Sequence, residues 1–92
     1  MSRNLTPAQI DQAIRILTSK DGEYVSRSRS GDGFGSRGGQ LYRVSVEEND
    51  REEYPVSEAD LRTALGALDL DNNVERYAIG ALQQMGIDVT AP

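Results

Sequence analysis

Apolar residues recur at two different periods along this chain, and the order in which the periods change restricts the fold more than any other feature. Ile10, Ala13, Ile14 and Leu17 fall on one face of a helix. From Glu23 to Ser30, and again from Gln40 to Val46, residues alternate with the period of a strand. The helical period then returns twice, in Leu61, Ala64, Leu65 and Leu68 and in Val74, Tyr77, Ala78, Ala81, Leu82 and Met85. Helices and strands are segregated rather than interleaved as in βαβ units. The expected fold class is therefore α+β: a small antiparallel sheet of two or three strands, with a long Gly-rich hairpin, packed with three helices.

Local signals set the boundaries. Thr6, Pro7 and Gln9 make a capping box, and Leu5 and Ile10 a hydrophobic staple, so the first helix is expected over 7–20, closed by Asp21-Gly22. Ser57 and Asp60, with Val56 and Leu61 as staple, repeat that logic for a helix over 57–68. Asp71 or Asn72 caps a third helix over 72–86, which Gly86 ends and onto which Ile87 folds back. Gly80 inside that helix implies a close backbone approach, expected from the 57–68 helix. The hairpin is expected over 23–46. Five glycines between Ser30 and Gly39 suggest a flexible tip at 30–39 that contains an Asp32-Gly33 turn. Residues 47–53 read as an acidic turn leading into a possible edge strand at Glu53–Val56, where Pro55 is tolerated. Residues 88–92 are expected to fray. All of this fits one domain over residues 1–92, which is chain enough for one modest core.

Charge divides the chain. Net charge is -5, yet residues 1–46 carry seven basic and four acidic side chains while residues 47–92 carry three and eleven. Nine of the ten cations are arginine, whose planar fork grips carboxylate or phosphate through two bonds. There is no cysteine and no histidine, which removes Ser-His and Cys-His nucleophile systems, disulfides and thiolate or imidazole metal sites. No pattern selects two carboxylates from the many present. No catalytic residue, metal or cofactor is expected, and the chain is not read as an enzyme.

Three segments carry patterns associated with chemistry. Gly33-Phe34-Gly35-Ser36-Arg37-Gly38 matches the G-x-G-x-x-G phosphate-binding pattern, but a strand rather than a helix is expected to follow it. Asp69-Leu70-Asp71-Asn72-Asn73 opens like a calcium loop but lacks its glycine and closing glutamate, with Val74 and Gly80 in their places. The segment with more to offer is the hairpin itself. Arg27, Arg29, Phe34, Arg37 and Arg43, beside Tyr24 and Tyr42, combine guanidinium forks, aromatic faces and glycine backbone, a set suited to phosphate or to an acidic protein surface. Glu47, Glu48, Asp50, Glu52 and Glu53 form the opposing acidic surface, readable as a solvated turn or as an imitation of phosphate charge.

Size, net acidity, absence of cysteine and histidine, the helix-plus-hairpin body, the arginine tip and the acidic 47–53 run together resemble the small phage-encoded anti-CRISPR-type inhibitors. The resemblance is to a class, and no family motif is matched. It implies a non-enzymatic inhibitor or adaptor that binds stoichiometrically to a protein or ribonucleoprotein complex and blocks nucleic-acid access. The place implied is the cytoplasm of a bacterial host, with no membrane contact, as monomer or homodimer. The alternatives are a small nucleic-acid-binding module and a captor of a phosphorylated small ligand, each using the Arg/Gly-rich hairpin. A net charge of -5 weighs against free nucleic-acid binding, which counterion release drives.

Overall fold

A computed structural model describes residues 3–26, 30–71 and 76–89, with only the backbone of Ser30, Arg76 and Tyr77. The element order is α1 (Pro7–Ser19), β1 (Gly22–Val25), β2 (Ser30–Arg37), β3 (Gln40–Glu47), β4 (Asp50–Pro55), α2 (Glu58–Ala67) and α3 (Arg76–Gln84). The class is α+β with an antiparallel sheet, as expected, but the sheet has four strands in the order β1-β2-β3-β4 rather than two or three.

The helix signals act as the sequence implies. Gln9 N–H donates to Thr6 Oγ1 at 3.2 Å and Thr6 N–H to Gln9 Oε1 at 2.8 Å, the two halves of a capping box. Ser57 accepts from Asp60 N–H at 3.1 Å and starts α2. Gly86 is left-handed (φ 85°), and Ile87 N–H reaches back to the Leu82 carbonyl at 3.1 Å, closing α3 as a Schellman turn. Residues 72–75, placed in the third helix by its periodicity, lie outside the described residues. Helix α1 ends differently from expectation. Lys20 is already extended, and Gly22 opens β1 instead of capping the helix. One of the last carbonyls of α1 is satisfied from the sheet, where Ser36 Oγ on β2 donates to Leu17 O at 2.5 Å, and another from within the helix, where Ser19 Oγ donates to Ile16 O at 3.0 Å.

The glycine-rich segment is where sequence and structure part. Residues 30–37 form a central strand, not a flexible tip, paired with β1 on one side and β3 on the other. The turn is Gly38-Gly39 (φ 59° and 84°), not Asp32-Gly33. Both positive angles are those of a two-residue type I′ hairpin, which matches the twist of the flanking strands. The next hairpin, β3–β4, turns at Glu48-Asn49, with Glu48 itself at φ 48°. The acidic 47–53 run is thus a tight turn followed by strand from Asp50 onward.

The helices pack on one face of the sheet. Leu17 of α1, Leu61 and Leu65 of α2 and Leu82 of α3 meet Phe34 and Leu41 in one buried cluster. Gly80 does mark a close approach, but to the end of β1: a Cβ there would stand 3.0 Å from Ser26 Oγ. Residues 88 and 89 are not frayed. Val89 is buried, its carbonyl accepts from Arg3 Nη2 at 2.8 Å, and the Asp88 carbonyl accepts from Gln9 Nε2 at 2.7 Å.

Candidate docking surface

Strand register assigns each side chain to a face. Tyr24, Phe34, Arg43 and Tyr54 form one row across the four strands, on the helix side. Glu23, Gly35, Tyr42 and Pro55 form the row on the opposite side, with Val25, Gly33, Val44 and Glu53 beside it. The predicted binding hairpin is therefore split between two faces, and most of its described members are already engaged.

Phe34 must be corrected outright as a partner-binding residue. It is 2% exposed and belongs to the helix-side core, because its register position points under the helices and not to solvent. Arg37 lies on the other face. Its guanidinium bonds Glu53 Oε1 at 3.0 Å and stands 5.1 Å from the Tyr42 ring centre, a cation–π distance. Arg27 and Arg29 lie outside the described residues. Arg43 is exposed and makes no ion pair among the described residues.

Around Arg37 runs a closed network. Arg51 bonds both carboxylate oxygens of Glu23, one at 2.8 Å, and reaches Glu53 Oε1 at 2.8 Å. Tyr42 Oη donates to Glu23 Oε1 at 2.9 Å. The hydrogen bond from Arg51 is the main reason the Glu23 carboxyl sits below the usual carboxylate range. Bonds from Arg37 and then Arg51 lower Glu53 likewise. Burial, followed by the Glu23 contact, pushes the Tyr42 hydroxyl up. The same carboxylates hold both guanidinium groups more firmly protonated. In this arrangement each charge faces an opposite charge, so the network is close to neutral and offers a phosphate little net attraction.

The acidic set divides in the same way. Glu53 belongs to the network. Glu47, Glu48 and Asp50 are exposed, have no cation partner among the described residues, and with Asn49 line a cleft of about 510 Å³ at the β3–β4 turn. Among the described residues, Glu52 accepts from the Tyr54 hydroxyl, which it holds in its protonated form. Two further cavities adjoin on the helix-side face. One, of about 250 Å³, is lined by Ser45, Glu47, Asp50, Glu52 and Tyr54. The other, of about 360 Å³, is lined by Asp32, Arg43, Val44, Ser45, Tyr54 and Val56. They share Ser45 and Tyr54, so they form one trough.

The sequence pattern alone does not bring these residues together into a trough. Its one sequence signal is Tyr54, an aromatic residue among charges on a strand where nothing apolar is needed for the core; it is 48% exposed. Among the described residues, no group of histidine, cysteine or carboxylate side chains is close enough to hold a metal ion, and no helix is long and apolar enough to cross a membrane. No protein-family model matches the chain, and neither a curated protein nor a solved structure shows significant similarity to it.

Proposed function

We propose that this protein is a non-enzymatic, anti-CRISPR-like inhibitor or adaptor that binds stoichiometrically to a protein or nucleoprotein complex and blocks nucleic-acid access. Its β3–β4 hairpin supplies the charge. The observation that carries the reading is the set of Glu47, Glu48, Asp50 and Glu52, which have no cation partner among the described residues, on a hydrogen-bonded hairpin. An imitation of phosphate requires carboxylates held at fixed spacing, and a strand holds alternate side chains ~7 Å apart. A flexible loop could not keep that spacing without a large ordering cost on binding. Electrostatic complementarity of this kind also speeds association with a basic groove and selects against acidic partners.

The arginine reading is less well supported. Arg37 and Arg51 are committed to Glu23 and Glu53, and Phe34 is buried, which leaves Arg43 as the described sheet arginine free of ion pairs. Among the described residues, one unpaired arginine beside several acids is a poor phosphate site.

The test begins with capture of the partner complex from bacterial lysate, with and without nuclease. Labelled target nucleic acid is then bound to the purified complex, and this protein is added. The expected result is displacement that saturates at one protein per complex. Replacing Glu47, Glu48, Asp50 and Glu52 with their amides should abolish displacement while leaving the fold intact. Direct binding of labelled nucleic acid by the protein alone would instead establish the nucleic-acid-binding alternative.

A further inference from the structure

The sheet is wider than its helical cover. Leu41, at the start of β3, is buried beneath the helices, but along the same face Arg43 is exposed, Ser45 and Val56 are half-buried and Tyr54 is exposed. This overhanging part of the sheet is the floor of the trough described above. Among the described residues, its walls carry Asp32, Glu47, Asp50 and Glu52 against one cation, Arg43.

We propose that the trough takes an extended, basic segment of the partner protein in which arginine or lysine alternates with aliphatic residues. The inference rests on the acidic-hairpin reading of function and adds to it the place and the chemistry of the contact. Asp50 and Glu52 project from one face of β4, and Glu47 stands across from Asp50 on β3. Cross-strand neighbours are ~5 Å apart and alternate residues ~7 Å apart, too dispersed to converge on one ion but matched to successive cations of an extended chain. Tyr54, with the exposed part of Val56, which otherwise packs against the core, gives the aliphatic positions an apolar seat, and the Tyr54 ring face favours a nearby cation. Arg43 repels cations from its own end, so the basic positions run toward the Glu48-Asn49 turn. A second copy of this chain is a poor occupant, because its own acidic hairpin would meet these acids. A nucleic acid carries the wrong charge.

Two short synthetic peptides test this on the intact protein, one alternating arginine with leucine, the other alternating arginine with serine. Amide NMR spectra report where each binds. The expected result is that the arginine–leucine peptide shifts Arg43, Ser45, Tyr54 and Val56 together with Glu47–Glu52, and binds about ten-fold more tightly than its serine counterpart. Tyr54→Ala, at an exposed position that leaves the core untouched, should erase that difference without altering the rest of the spectrum. Equal affinity of the two peptides, with shifts confined to 47–52, would overturn the trough and leave the acidic-hairpin reading standing. Shifts centred on the outer edge of β4, at Arg51 and Glu53, would replace the trough with strand addition and so overturn it. No shift with either peptide would count against both.

Discussion

The two faces of the sheet are both closed to water near their centre, and they are closed by opposite means. On the helix side, bulk does it: Phe34 and Leu41 are covered by leucines from three helices. On the other side no helix packs among the described residues, yet Tyr42 and Val44 are 6% and 2% exposed. There the central strand contributes almost nothing, because Gly31, Gly33 and Gly35 occupy successive positions of that face. Side chains from the neighbouring strands fill the space. A Cβ on Gly35 would lie 2.5 Å from the Tyr42 ring, and one on Gly33 would lie 2.7 Å from Val25 Cγ2. Above them the Glu23–Arg51–Glu53–Arg37 network forms a lid. A small sheet can thus cover its second face without a second layer, if one strand gives up its side chains so that its neighbours can meet.

If that contrast is right, each face should fail in its own way. The largest loss is expected on the helix side. Leu82→Ala removes a fully buried side chain and should cost ~2–5 kcal/mol in a denaturant titration, enough to unfold much of the population in a domain of this size. On the glycine face the damaging change is an addition. Gly33→Ala places a methyl group against the β1 backbone, 2.9 Å from Val25 Cα, and should cost ~1–3 kcal/mol, where the same change on an exposed strand would be neutral or better. The smallest effect concerns the lid. Glu23 and Glu53 have carboxyl groups held below their ordinary value of 4.5. For a lowered carboxyl, the added stability is present in full above that value and is lost as the pH falls through the lower folded-state value. Thermal melts between neutral pH and pH 3 should therefore decline below ~4.5, and Arg51→Gln should make that decline shallower. An unchanged acid limb in the variant would mean that the Arg51 bonds to Glu23 and Glu53 contribute nothing to stability.

The same contrast explains what could be read in the sequence. The helix side announces itself through Ile14, Leu17, Leu61, Leu65 and Leu82 at helical spacing and through the caps Thr6, Ser57 and Gly86, and the starts of α1 and α2 and the end of α3 match those signals. The glycine face is hard to read. Strand reading relies on β-branched and aromatic alternation, and in β2 the alternation is between glycine and Asp32, Phe34 and Ser36, which imitates a loop. Once 30–39 is taken for a loop, the Gly38-Gly39 turn signal is lost among the other glycines and Phe34 becomes an exposed tip residue. The candidate site suffered from the same error. Arg37 and Glu53 are sixteen residues apart, and their pairing becomes visible only when both strands are in register. The acids at 47–52 needed no register to be found, since a charge run on a turn is a local feature.

One contact in the lid has a consequence for shape. Arg51 lies on one outer strand and Glu23 on the other, three strands across and four residues along by the register of β2. On a flat sheet those positions would be roughly 19 Å apart, beyond the combined reach of the two side chains. They touch because right-handed strand twist lifts one pair of diagonal corners toward the same side. The bridge is thus a diagonal brace across a warped surface, and the glycines are the crease that lets the surface warp. Untwisting the sheet and separating Arg51 from Glu23 are one and the same motion.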